Sequence, residues 1–280
     1  MKLVKKILLL AFFFLAFGAG IYGIEKIGGF EKTGRTTGEK VESTSQVPLK
    51  FAVMSDIHSD YTNLKKALEI AKTDNNSFVI LTGDLTTIGK KEELLEVKKL
   101  LDESGITYYV VPGNHDVWYD RRTQKDLFGE VFGKTFTSFK EGNIKFILVN
   151  NGDYINGLEG LKGTEGQKKW LTEETKECLQ ITCLVFMHMP LNHPSSIYIM
   201  GQNSSAVATE AAQLVKLLVG NKVKQIFAGH LHYSSSYEFE GLRTTIVGAV
   251  TSDRNVQSPK FLEVSVSDGN FDQKEVFVAD

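Results

Sequence analysis

The chain has 280 residues, 42% hydrophobic and 24% charged, which places it among globular sequences and excludes a disordered, collagen-like or polytopic membrane protein. Its 32 basic and 34 acidic side chains leave a formal charge of -2, so general attraction to a phosphate backbone is missing and a nucleic-acid duplex is excluded as partner. Two cysteines, Cys178 and Cys183, are too few for a disulfide scaffold or a thiolate zinc cluster. Any metal must be held by other donors.

In chain order, Lys2, Lys5 and Lys6 precede an uncharged run over 7–24, with Ala16, Gly18, Ala19 and Gly20 near its end. A basic start, an apolar stretch and small residues fit a secretory signal peptide, and the 18-residue run also suffices for an uncleaved membrane anchor. Either way the lysines favour the cytoplasmic side, so the rest of the chain is expected outside the cytoplasm, secreted or held at the membrane through residues 1–24. Over 25–48 the composition shifts to Gly, Thr, Ser, Glu and Lys with no period of 2 or 3.6, a flexible linker. Residues 49–280 then suit one large α/β domain.

Within that domain, strands are predicted over 49–54, 78–81 and 106–111, separated by helices over 63–72 and 91–103. Leu64, Ala67, Leu68 and Ala71 share a face of the first helix, and Leu94, Leu95, Val97, Leu100 and Leu101 recur at helical spacing in the second. Alternating strands and helices imply a parallel sheet. A hairpin follows over 136–139 and 144–150 around Glu141-Gly142-Asn143, then a helix over 166–176, a strand over 184–187, a helix over 210–219 and a strand over 223–228. The tail, with strands over 237–239, 244–250, 261–266 and 276–278 and turns at Gly241 and Gly269, reads as antiparallel.

The chemistry falls at strand ends: Asp56 and His58 after the first, Gly83-Asp84 after the second, Gly113-Asn114-His115-Asp116 after the third, His188 after a later one and Gly229-His230-Leu231-His232 after the last of the parallel set. Open α/β sheets bind ligands beyond the carboxyl ends of their strands, so five segments should converge on one crevice. Of the six histidines only His193 lies outside these motifs. In extended chain residues i and i+2 point the same way, which would pair Asp56 with His58 and His230 with His232. Neighbouring Asn114 and His115 should diverge, leaving one for a cation and the other for acid/base work. Asp56, His58, Asp84, Asn114, His188, His230 and His232 thus form a thiolate-free set suited to divalent Mn, Fe or Zn. Seven side chains exceed one tetrahedral ion, so two metal ions sharing a carboxylate are expected, an arrangement that clamps both oxygens of an in-line displacement and supplies hydroxide at neutral pH.

The ordered motifs DxH, GD, GNHD, a lone His and GHxH from Asp56 to His232 resemble the calcineurin-like metallophosphoesterase family, across essentially all of 49–280. The resemblance implies an αββα architecture, a two-sheet β-sandwich flanked by helices. It implies that Asp56, His58 and His232 hold one metal, that Asn114, His188 and His230 hold the other, and that Asp84 bridges them. His115, oriented by Asp116, would protonate the leaving oxygen or steady the transferring phosphoryl group. The chain departs from the family's serine/threonine protein phosphatases, reading Gly83-Asp84-Leu85-Thr86-Thr87-Ile88-Gly89 and ending its third motif in Asp rather than Glu. It looks more like the small phosphodiesterase branch of cyclic-nucleotide and glycerophosphodiester enzymes, acting on a small phosphoester. A phosphomonoesterase, or a surface binding module that keeps the fold without turnover, is the alternative.

Around the site, Arg121 and Arg122 with Trp118 and Tyr119 read first as a solvated helix start over a packed aromatic and second as phosphate contacts. His193 reads as an exposed loop residue, and the loop over 191–208 as a roof to the crevice. Cys178 and Cys183 form either a short-loop disulfide or two buried thiols.

Overall fold

Strands buried on both faces give apolar runs, and the side-chain period of two then sends alternate residues to different cores. The computed structural model of the protein describes residues 49–267 and 269–278; the segment 1–24 expected as signal peptide or anchor and the linker expected over 25–48 lie outside the described residues. In β1 (Leu49–Met54), Phe51 and Val53 face one core while Ala52 and Met54 face another. β2 (Phe78–Leu81) and β3 (Thr107–Val110) run parallel beside β1. α1 (Tyr61–Thr73) and α2 (Lys91–Ser104) make the crossovers and bury Leu64, Ala67 and Leu68, with Leu94, Val97 and Leu101, against the outer face of this sheet. Leu95, expected on the apolar face of α2, instead points outward and is 48% exposed.

The chain then crosses to a second sheet. Two short helices, α3 (Trp118–Thr123) and α4 (Leu127–Phe132), lead into the hairpin of β4 (Thr137–Glu141) and β5 (Ile144–Leu148). α5 (Gln167–Lys176) and a single 3-10 turn precede β6 (Thr182–Phe186), and α6 (Ser205–Gly220) precedes β7 (Gln225–Ala228). Cys178 and Cys183 are joined as a disulfide across the turn that enters β6. The Ser204 hydroxyl caps α6 by accepting from Val207 N, so the loop expected to reach residue 208 ends sooner. The last strands are β8 (Ser235–Phe239), β9 (Leu242–Ile246), β10 (Lys260–Ser267) and β11 (Asn270–Phe277).

The first sheet has the order β11-β10-β1-β2-β3 and the second β4-β5-β6-β7-β9-β8. Between them Phe51, Phe78, Phe146, Phe186 and Phe227 pack with Val53, Ile80 and Leu148, while α5 and α6 cover the far face of the second sheet. The result is the αββα sandwich. The antiparallel tail holds for β8 with β9, β10 with β11 and β10 with β1, but β9 runs parallel to β7. Because β8 takes the edge position, the returning strand of its hairpin fills the place next to β7 in the same direction as β7. Among the described residues no helix is long and apolar enough to cross a membrane.

Candidate metal centre

The carboxyl ends of β1, β2, β3, β6 and β7 open onto one place, and the two sheets are stitched together there. Ser55 bridges Ala249, Val250 N donates to Ser55 O and Thr251 N donates to Asp56 O. Beyond the strands the ligand-bearing backbone is not extended. Asp56, His58, Asp84, His230 and His232 have φ of 53°, 47°, 52°, 73° and 57°, all left-handed. The expected i, i+2 alignment of an extended chain is therefore replaced by tight turns that fold each pair back over the strand end. Such conformations cost on the order of 1–3 kcal/mol each and persist only where surroundings fix them. Here Ile57 N and His58 N donate to Asp84 O, Asp56 N donates to Gly83 O, and His230 N donates to both Asp56 carboxylate oxygens. Two glycines make this approach possible: a Cβ on Gly113 would lie 2.2 Å from Asp84 Oδ1, and one on Gly229 would lie 1.8 Å from Ser55 Oγ.

The seven residues come together. Asp56, His58, Asp84 and His232 form one group of donors, and Asp84, His188 and His230 a second, with the donor atoms of each within 4.8 Å of one another. Asp84 belongs to both. His58 Nε2 lies 2.9 Å from His232 Nε2 and 3.6 Å from Asp84 Oδ2, and His232 Nε2 lies 3.5 Å from Asp56 Oδ1. On the other side His188 Nε2 is 3.3 Å from Asp84 Oδ2, 3.0 Å from Asn114 Oδ1 and 3.2 Å from His230 Nδ1. Thr82 O accepts from His188 Nδ1 at 2.9 Å, which turns the Nε2 lone pair toward the cluster.

This donor set fits divalent cations. It offers carboxylates, imidazoles and one amide oxygen, and it brings imidazole nitrogens together in a buried place where two neutral rings cannot both donate. Burial pushes His58 down to about 3, and burial with the neighbouring His188 does the same for His230, so both rings stay neutral and able to ligate. Burial also raises Asp56. Burial opposes the charge on Asp84, but His188 and His58 outweigh it and hold that carboxyl well below the usual range. Burial likewise opposes charge on His188, and Asp84 overrides it, pushing the ring up to about 9, so a cation bound at Nε2 would displace a proton held there by the same carboxylate.

His115 lies beside this cluster, its ring 4.6 Å from that of His58 and its backbone N donating to Asp84 Oδ1. Asp116 does not orient it. His115 Nδ1 meets Thr87 O at 2.6 Å, while the Asp116 carboxylate accepts from Leu85 N, Thr86 N, Thr86 Oγ1 and Gly113 N. Four donors to a fully buried carboxylate tie the second motif to the third, so Asp116 braces the loops. Burial, with Asp84 nearby, pushes Asp116 up to about 6.

Arg121 and Arg122 are packing residues. The Arg121 guanidinium sits over Trp118 and Tyr154 and donates to Tyr154 OH, and the Arg122 guanidinium lies 5.1 Å from the centre of the Trp118 ring. His193 is not an exposed loop residue; it is half-buried between Tyr233 and Tyr237, with Nε2 3.3 Å from Ser235 Oγ. Motif reading missed Asn151, whose Oδ1 accepts from His188 N and Met189 N, and Arg254, whose Nη2 lies 3.2 Å from His58 Nδ1. Asn151 stands just past the end of β5, so the strand-end logic itself could have found it.

The profile of the calcineurin-like phosphoesterase family matches residues 49–234. The chain belongs to that family. This metallophosphoesterase chain is 25% identical over 185 residues to the human serine/threonine-protein phosphatase CPPED1, covering 62% of this chain and 59% of that protein. It thus spans about three fifths of the length of the CPPED1 phosphatases it matches. It is 27% identical over 229 residues to a 3',5'-cyclic-nucleotide phosphodiesterase of Nostoc sp., covering 71% of this chain and 83% of that protein. The fold is shared with a dimetal phosphatase from Danio rerio, at a TM-score of 0.63 and 16% identity over 84% of this chain and 98% of that one. A purple acid phosphatase from yellow lupin shares it at a TM-score of 0.55 and 13% identity, over 82% and 52% of the two chains.

Proposed function

We propose that the chain is a metal-dependent phosphoric ester hydrolase, a phosphodiesterase acting on a small phosphoester with two divalent ions of Mn, Fe or Zn. One observation carries the reading: the Asp84 carboxylate belongs to two separate groups of donors at once. In this reading Asp56, His58 and His232 hold one ion, Asn114, His188 and His230 hold the other, and Asp84 is common to both. Such ions, when bound, neutralise phosphoryl charge and lower the pKa of water. The protein's own groups do the rest. Thr87 O fixes His115 through Nδ1, leaving Nε2 to pass a proton to the departing oxygen. Asp116 holds the loops that carry Asp84 and Asn114 in register. The diester preference is supported by relatives named as a cyclic-nucleotide phosphodiesterase in Nostoc sp. and as a probable glycerophosphodiester phosphodiesterase in Arcobacter nitrofigilis, the latter 30% identical over 172 residues.

An extracytoplasmic location, with residues 1–24 as signal peptide or anchor, belongs to the same proposal. The basic, apolar start of the sequence supports it, and so does the Cys178–Cys183 disulfide, since such bonds persist in oxidising compartments. The deciding experiment is turnover of bis(p-nitrophenyl) phosphate by the full chain with manganese, set beside p-nitrophenyl phosphate. A faster diester rate supports the reading, and a faster monoester rate makes the protein a phosphomonoesterase. No turnover of either ester by metal-loaded protein would leave a binding module.

A further inference from the structure

Arg254 lies beyond the last strand-end motif, on the loop between β9 and β10, yet its guanidinium reaches the metal cluster. Nη2 is 3.2 Å from His58 Nδ1, Nε donates to Asp253, and the side chain is 53% exposed, on the solvent side of the site. The loop that presents it is pinned at both ends. Val250 N and Thr251 N donate to Ser55 O and Asp56 O at one end. At the other, Gln257 Oε1 accepts from the backbone and hydroxyl of Ser234, two residues past His232. Asn255 Nδ2 closes the turn onto Ala249 O and Thr251 O. At its apex Arg254 has φ of 52°, a conformation that a long side chain keeps only when its surroundings impose it.

Orienting His58 does not explain this arginine. His58 Nε2 is the nitrogen facing Asp84 and His232. A neutral imidazole that gives Nε2 to a cation keeps its proton on Nδ1, and a guanidinium has donors only. With His58 serving as a ligand, two donors would face each other, so the exposed NH2 end of the arginine is free to turn to an acceptor that enters beside His58. Asp253 engages Nε and leaves the NH2 groups for another anion. Arg121 and Arg122, engaged with Trp118 and Tyr154, do not compete for it.

We propose that Arg254 binds a non-bridging oxygen of the substrate's phosphoryl group, beside the His58 ring that His115 also touches. The proposal deepens the hydrolase reading and rests on it. A planar fork of donors suits a tetrahedral oxyanion better than a single ammonium does, so the residue selects for anionic phosphoryl rather than for a base, sugar or lipid tail.

The test uses the full chain with manganese, as wild type, Arg254→Asn and Arg254→Lys; asparagine tolerates the left-handed backbone, so the loop keeps its shape. Three quantities are measured: KM and kcat for bis(p-nitrophenyl) phosphate, the dissociation constant of inorganic phosphate by calorimetry, and bound manganese. Arg254→Asn is expected to raise KM and the phosphate dissociation constant together by about 10- to 100-fold, as for loss of a charged hydrogen bond, with manganese content unchanged. Arg254→Lys should recover only part of the loss. Unchanged phosphate affinity and KM in Arg254→Asn, or a loss of manganese in its place, would overturn the proposal. If wild type binds phosphate without turning over any ester and Arg254→Asn weakens that binding, the hydrolase reading falls while the anion site stands.

Discussion

Asp84 Oδ2 lies 3.3 Å from His188 Nε2, with both side chains buried. Asp84 follows β2 of one sheet and His188 follows β6 of the other, so this contact joins the two halves of the sandwich at the metal centre. Removing either group should therefore disturb both sets of ligands.

Asp84→Asn keeps the shape and removes the charge that both groups share. Elemental analysis of the manganese-loaded protein should show fewer ions per chain than wild type, and the diester rate should fall at least about 100-fold. Full metal content in the variant would remove Asp84 from its shared role.

His115→Ala should behave differently, because His115 is absent from both donor groups. Manganese content should stay at the wild-type level while kcat falls by about 100- to 10,000-fold. The loss should be larger for an alkyl leaving group than for p-nitrophenolate, which departs with little help from an acid. Equal losses on both esters would show that His115 transfers no proton to the leaving oxygen.

Asp116→Ala leaves the backbone N–H groups of Leu85, Thr86 and Gly113 without their carboxylate partner in a buried place. Unsatisfied buried donors cost roughly 1–3 kcal/mol each, so the midpoint of urea unfolding should drop by an amount equivalent to at least about 2 kcal/mol. A normal unfolding midpoint with a selective loss of kcat would restore Asp116 to a direct role beside His115.

Cys178→Ser and Cys183→Ser open a loop with a sequence separation of 5. The chain-entropy relation gives about 2 kcal/mol for so short a loop. Each single variant, and wild type after reduction, should unfold at a correspondingly lower denaturant concentration, with the diester rate at 25 °C unchanged.

Much of the fold could be read from the sequence because the central strands are buried on both faces, leaving apolar runs such as 51–54 and 78–81 that are followed within three residues by an aspartate. The ligands were readable by type for the same reason: Asp56, Asp84, His188 and His230 each follow such a run. The backbone that aims them was not, since nothing in the residue types of Asp56 or His232 announces a positive φ, and only packing imposes it. β11 was legible only at its end because an edge strand with one solvated face, Asn270–Phe277, carries mostly polar side chains. α3 and α4, six residues each, are too short for a period to register. The bracing role of Asp116 was not legible because three of its four partners are backbone amides, which leave no trace in residue type. Arg254 belongs to no repeated pattern, and its place depends on the course of the chain between β9 and β10.

The left-handed turns at Asp56, His58, Asp84, His230 and His232 place durability and usefulness in opposition. A descendant freed from holding cations would relax by exchanging those five residues for glycine or asparagine, and its sandwich would harden as the crevice decayed. The strain thus sits with the donors of the candidate metal centre and not in the packing of the two sheets.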